Sequence, residues 1–183
     1  MVCTGSGEGT AYDTRFPTDG AFYEGSAVNF GGIQDGLSNT VVFSESLLGN
    51  HRDTTGPEPE DYRRQIGDLK LRPTSAAPGL PSVENPELQA LAAGAGEWNG
   101  SRGSGWIVGK TYTSMFCTYA PPNSGSPDLY AMGIGFFAAR SNHPVGVNAA
   151  LADGSVRFVS DTVDIDAWHA LGSIAGGEVV TDY

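Results

Sequence analysis

The chain is short of cations, cysteines and histidines. Its 183 residues carry ten Lys and Arg against 21 Asp and Glu, a net charge of −11. Binding a nucleic-acid backbone depends on clustered Lys and Arg, so the balance argues against that partner. No run of about 18 apolar residues occurs, so no stretch reads as membrane-inserting. Two cysteines, Cys3 and Cys117, allow one pairing at most. A disulfide needs Cα atoms within about 7 Å, which sequence cannot supply, so a bridge and two buried thiols both stay open. The three histidines, His51, His143 and His169, show no HxH or HExxH spacing. There is no GxSxG elbow, and no phosphate-loop or dinucleotide glycine pattern between a strand and a helix.

What is abundant is glycine and proline, 26 and 11, with 39% apolar and 17% charged residues. The composition predicts one loop-rich α+β domain over residues 1–183, mainly antiparallel sheet with one or two short helices. The acidic balance fits an extracytoplasmic setting and cation binding, and it also keeps a surface soluble. The chain opens directly on loop-like MVCTGSGEGT, which reads as a fragment of something longer.

The organising stretch is residues 141–160, SNHPVGVNAALADGSVRFVS. Val147, Ala149 and Leu151 alternate with polar or small residues up to Asp153-Gly154, and Val156 and Phe158 alternate after it. Asp-Gly between two alternating runs predicts a hairpin with a two-residue type I′ turn. That register pairs Ala152 with Ser155, sets Leu151 opposite Val156 and Ala149 opposite Phe158 on the core face, and turns Asn148 and Arg157 away.

Elsewhere, residues 20–23 and 27–30 read as short strands. Asp35-Gly36 forms a turn that Ser38 and Asn39 stabilise through backbone hydrogen bonds, and residues 40–45 follow as a strand. Residues 52–100 read as a loop-rich insertion, extended near 67–71, looped over 73–86, and helical over 85–94 with Asn85 as cap and Gly94 as stop. Residues 106–108 and 111–119 return to strand, and residues 132–139 form a strand or loop. Asp164 caps a helix carrying Ile165, Trp168 and Leu171 on one face and ending at Gly172, with His169 at its surface. The tail, 176–181, reads as a strand or packed segment.

Chemistry-bearing groups are sparse. His143 and Asp153 sit ten residues apart at opposite ends of one strand, about 30 Å at extended spacing, so they do not act together. His143 falls across the ribbon from Val163-Asp164, and a His143–Asp164 tie closing the hairpin mouth is the simpler reading. If the protein is a hydrolase of activated esters or phosphoesters, its groups are His143, Glu45 and Asp164, with His51 helping to hold a divalent metal such as zinc whose bound water attacks. Asp161, Asp164 and Asp166 form an acidic cluster that would suit calcium in a binding module. It lacks the EF-hand pattern, and helix capping accounts for it more simply. No cofactor is otherwise called for.

Several separate stretches, in one order, resemble a single family. His143, nine residues, then Asp153-Gly154 resembles the His-x9-Asp-Gly signature of DUF1559-like, prepilin-type proteins of planctomycete-type bacteria. Asp35-Gly36, Ser38, Asn39, Thr40 and Glu45 resemble that family's "DGxSNT…E" block. Arg102 to Trp106, Pro121-Pro122-Asn123 and the tail from Trp168 also look like family blocks. The resemblance implies a pseudopilin-like globular domain, exported and non-catalytic, whose partners are copies of itself or other pilin-like subunits. Family members carry an apolar N-terminal helix, and this sequence reads as N-terminally truncated relative to them.

Overall fold

The computed structural model describes residues 1–7, 17–69, 88–131 and 134–178. Among them the chain forms β1 (Val2–Cys3), β2 (Val41–Ser44), β3 (Thr54–Thr55), β4 (Ile66–Asp68), α1 (Leu88–Ala92), β5 (Glu97–Asn99), α2 (Thr111–Ser114), β6 (Met115–Phe116), β7 (Asp128–Ala131), β8 (Ile134–Phe136), β9 (Gly146–Leu151), β10 (Val156–Ser160) and α3 (Ile165–Gly172). The first sheet runs β10-β9-β2-β1-β6 and the second β3-β5-β4-β7-β8. Each is antiparallel apart from one parallel pair, β1 with β6 and β4 with β7. This is the loop-rich, mainly antiparallel α+β class that composition predicts. Residues 52–100 supply β3, β4 and β5, and β7 and β8 complete their sheet.

The core has two centres. Val147, Ala149 and Leu151 of β9 pack with Val41, Val159, and Trp168 and Leu171 of α3. Trp98, Leu129 and Phe136 of the second sheet pack with Leu88 and Ala92 of α1. Ile66 of β4 and Phe137 reach into the first centre, which seats one sheet against the other. Cys3 lies in the first centre and Cys117 in the second, both as free, buried thiols. Burial pushes Cys117 up to about 11 and Cys3 higher still, so neither supplies a thiolate nucleophile at neutral pH.

The hairpin forms where Asp153-Gly154 places it, with a register one residue away from the two-residue expectation. Val156 pairs with Ala150, Phe158 with Asn148 and Val159 with Val147. The reason is the turn. Only Gly154 takes positive φ, at 86°, and its N–H donates to the Leu151 carbonyl at 2.9 Å. A type I turn followed by a left-handed glycine makes a three-residue loop rather than a type I′ pair. Asp153 braces it, accepting from the Ser155 N–H and hydroxyl at 2.8 and 2.7 Å. One residue of slip exchanges faces. Val156 and Phe158 therefore point outward, 65% and 49% exposed, while Val159 is 1% exposed, and Arg157 lies on the Val159 side of the strand. Open space surrounds a Cβ at Gly154, so Gly154→Ala is expected to cost only the left-handed backbone penalty, about 1 kcal/mol, read by urea melting.

Three other expectations are corrected. Residues 20–23 and 27–30 form no strands; the chain turns and then makes a 3-10 turn at Phe30–Gly32 that the Asn29 side chain caps. Residues 106–108 form a 3-10 turn and residues 111–114 form α2. Gly109, at φ 64°, reverses the chain there. The Lys110 carbonyl then accepts from the N–H and hydroxyl groups of both Thr113 and Ser114, an alternative to strand pairing that Ser and Thr offer the backbone. His169 is half-buried rather than at the surface, stacked on Tyr119 with ring centroids 5.9 Å apart. The 85–94 helix is present as α1, while its Asn85 cap, residues 70–87 and the end of the 176–181 tail lie outside the described residues.

Candidate functional site

The chemistry-bearing groups of the hairpin region meet at one end of the first sheet. β2 pairs with β9 as Val41–Leu151, Phe43–Ala150 and Ser44–Ala149, with a bulge between Val41 and Phe43. The next position, where β2 ends, is Glu45. Its carboxylate takes over the ladder: Oε2 accepts from the Asn148 N–H at 2.8 Å, and Oε1 accepts from the Asn148 amide at 3.3 Å. The Ser44 hydroxyl donates to the Asn148 carbonyl at 2.9 Å. Oε1 also meets Nε2 of His143 at 3.0 Å, with the two side chains 33% and 52% exposed. The imidazole stands edge-on to Phe158, centroids 6.5 Å apart. Partial burial pushes the Glu45 carboxyl up, but the Asn148 hydrogen bonds and the His143 contact outweigh it, leaving the group below its ordinary value of 4.5.

The loop carrying His143 is pinned by Ser141, by Asn123 of the Pro121-Pro122-Asn123 block, and by Arg63, which the sequence did not single out. Ser141 accepts the His143 N–H at 3.0 Å and donates to the Gly146 carbonyl at 2.7 Å. Asn123, at positive φ, accepts the Ser141 N–H at 2.8 Å and donates to the same Gly146 carbonyl at 3.0 Å. Arg63 joins Asn123 Oδ1 to the Ser141 carbonyl, both at 2.8 Å.

The expected His143–Asp164 tie does not form. β9 has β10 on one side and β2 on the other, and Glu45 of the β2 side captures the imidazole. Asp164 instead caps α3, Oδ1 accepting from the N–H groups of Asp166 and Ala167 at 3.1 Å each. Asp161 and Asp166 flank that cap. Asp153 stays in the turn with Ser155, at the far end of β9 from His143. His51 is exposed, at φ 57°, with its N–H on the Gly100 carbonyl. Among the described residues no three His, Cys, Asp or Glu side chains gather as a metal-ligand group, and no helix is long and apolar enough to cross a membrane.

The Asp35–Thr40 block binds the other end of the hairpin to the segment after α3. Asp35 accepts from Ser173 hydroxyl at 3.0 Å and from the N–H groups of Gly176 and Gly177 at 2.9 Å each. Gly36 takes φ 98°, Asn39 donates to the Asp35 carbonyl at 3.1 Å, and Thr40 donates to the Gly36 carbonyl at 3.3 Å. The Asp153 N–H donates to the Leu37 carbonyl at 3.0 Å, and the Ala152 N–H to that of Thr40 at 2.9 Å. Ser38 is exposed.

A third constellation lies inside. Asp128 Oδ1 accepts from Arg140 Nε and Nη2 at 3.1 and 3.0 Å, and Oδ2 faces Arg102 Nε at 3.4 Å. Arg102 also lies over the Phe137 ring at 4.7 Å. Burial drives Arg102 down to about 10 against the pull of Asp128. The signal that could have found it is placement: Arg140 directly follows Phe136-Phe137-Ala138-Ala139, where a solvated charge is out of keeping.

Set against known proteins, residues 2–166 match a family model described as a protein of unknown function, DUF1559 (SBP_bac_10). No curated protein and no solved structure matches the chain.

Proposed function

The chain belongs to the DUF1559 family, and we propose that it serves as a non-catalytic, pseudopilin-like domain of an exported, surface-associated assembly. Its partners on this reading are copies of itself or other pilin-like subunits outside the cytoplasm. One observation carries it: the family-pattern side chains are occupied in bracing backbone. Glu45 replaces a ladder carbonyl for Asn148, Asp35 holds Gly176 and Gly177, and Asp153 and Gly154 close the hairpin. The neighbouring hydroxyls are engaged as well, Ser141 on the Gly146 carbonyl and Ser44 on the Asn148 carbonyl. A side chain that spans two segments is a brace, and a surface subunit needs its shape held more than it needs a reactive group.

A second reading rests on the Glu45–His143 pair. A half-exposed imidazole with a carboxylate at 3.0 Å has the geometry of a general base, which a metal-assisted hydrolase of activated esters or phosphoesters would use. Glu45→Gln and His143→Ala separate the two. On the bracing reading each variant lowers the melting temperature by about 2–4 °C, from about 1 kcal/mol of charge-assisted hydrogen bonding. Turnover of p-nitrophenyl acetate and p-nitrophenyl phosphate stays at background with or without a chelator. Hydrolysis that both variants abolish in a folded protein, with stoichiometric metal found by elemental analysis, would install the hydrolase instead. The pH dependence has a definite sign. Glu45 is depressed in the folded chain, so its contribution is present above the ordinary carboxylate value and is lost as pH falls through the folded one. Glu45→Gln should accordingly flatten the acid limb of the stability curve below about pH 4.

A further inference from the structure

Away from the His143 end, a groove runs where the two sheets meet. Its widest part, about 390 Å³, lies between Phe22-Tyr23 and the 109–112 turn, walled by Tyr112 and Tyr130. Those two tyrosines also wall a second depression of about 220 Å³ over Ile66, Asp68, Asn99 and Ser101. Asp68 and Asn99 lead on to a third, of about 210 Å³, beside Thr54, Thr55 and Glu97. The strand registers explain the continuity. Asp68 pairs with Glu97 on β5 and with Tyr130 on β7, and Ile66 pairs with Asn99, so all five share one face of the second sheet. Gly67, Trp98 and Leu129 occupy the opposite face, and Trp98 and Leu129 build the second core there.

We propose that this groove is a binding site for a neutral, linear oligosaccharide. The argument is from the lining. Tyr112 and Tyr130 are half-buried and set edge to face, ring centroids 5.5 Å apart; such rings offer flat apolar faces with hydroxyl rims. Between and beyond them stand short hydroxyl, amide and carboxylate side chains, the groups that exchange hydrogen bonds with vicinal hydroxyls. A chain of pyranose units presents that same alternation, an apolar C–H face on each ring and hydroxyls around it. Charge narrows the class. Lys110 and Glu24 offset each other at the wide end, with Lys110 Nζ 5.9 Å from the Tyr112 ring, and among the described residues the charged side chains lining the narrow end are Asp53, Asp68 and Glu97, beside Thr54, Thr55 and Asn99. Charges of both signs line the groove, so no field of a single sign selects a charged polymer. The floor is a sheet face and the edge strand bordering its narrow end, β3, is only Thr54–Thr55, so an extended peptide finds too short a row of open backbone groups for strand addition. Three joined depressions, rather than one closed pocket, fit an oligomer.

The test is isothermal titration of the intact chain with cello-oligosaccharides and with N-acetylglucosamine oligomers, from one unit to six, checked by intrinsic fluorescence. Affinity should climb with each added unit and level off once the groove is filled. Tyr112→Ala should weaken binding tenfold or more. Tyr112 also packs against the core, so Tyr23→Ala at the wide end and exposed Asn99→Ala in the middle carry the test if that variant does not fold. Asn99 Oδ1 also accepts from the Ser101 N–H at 2.9 Å, so each variant is first shown to melt cooperatively, and each should then lose severalfold in affinity. The proposal is overturned if neither series binds at millimolar concentration, if one unit binds as well as four, or if binding ignores Tyr23 and Asn99. It is equally overturned if oligolysine or oligoproline binds with that residue dependence instead. These readouts are independent of whether His143 and Glu45 brace or catalyse.

Discussion

Asp128→Ala is expected to destabilise the chain by about 3–5 kcal/mol, because it removes the carboxylate shared by two interior guanidiniums. Arg102 and Arg140 have side chains 1% exposed, and that of Asp128 is 3% exposed. Arg140 would keep the carbonyls of Ser124 and Ser126, at 2.7 and 2.6 Å, but neither cation would retain its anion. The Ala138 N–H, now on Asp128 Oδ1 at 3.1 Å, would be orphaned as well. Arg102→Met makes the informative contrast. Its Nε and Nη2 already lack hydrogen-bond partners, and only Nη1 is well used, donating to the carbonyls of Tyr112 and Thr111 at 3.1 and 3.4 Å. Replacing a desolvated, poorly satisfied cation by an apolar side chain of similar length is often neutral. Urea melts should therefore show Arg102→Met costing less than half of what Asp128→Ala costs. Equal losses, or an Asp128→Ala within 1 kcal/mol of the parent, would mean that the interior tolerates bare charge, against the desolvation argument. This cluster draws on scarce material, two of the ten cations in an acidic chain.

Much of the fold was legible where the determinants are local. The helix α3 follows from Asp164 at its cap and from Trp168 and Leu171 three apart, and it appears with both residues fully buried. The hairpin is announced by Asp153-Gly154, but that dipeptide serves two loop lengths, and the sequence around it does not choose between them. The unit of error was one residue, and it was enough to turn Phe158 outward beside His143. Residues 111–114 misled for a related reason: Thr and Tyr favour strands, yet one bend at Gly109 lets hydroxyls bond back to Lys110, and a helical turn wins. The sites were less legible because they are long-range. Glu45 and His143 are 98 residues apart, and nothing periodic links them. The groove is written in the registers of β4, β5 and β7, set by a parallel pairing that no turn signal marks.

The second large effect is expected at Trp168. The side chain is fully buried, and its indole N–H donates to the Ala120 carbonyl at 3.0 Å. It thus joins α3 both to the β9 core and to the segment leading into Pro121-Pro122-Asn123, which in turn holds the His143 loop. Trp168→Ala should cost about 3–5 kcal/mol, from lost transfer energy and from a cavity that the sheet on one side cannot fill. Trp168→Phe separates the two contributions. It keeps most of the ring and loses the donor, so the buried Ala120 carbonyl is left unpaired at about 1–3 kcal/mol. Thermal melts should rank parent, Phe and Ala in that order, with the Ala variant lower by on the order of 10 °C. If Trp168→Phe falls as far as Trp168→Ala, the hydrogen bond dominates and α3 is a tether for the 120–123 segment. If Phe is silent, burial dominates and α3 is a lid on the first core.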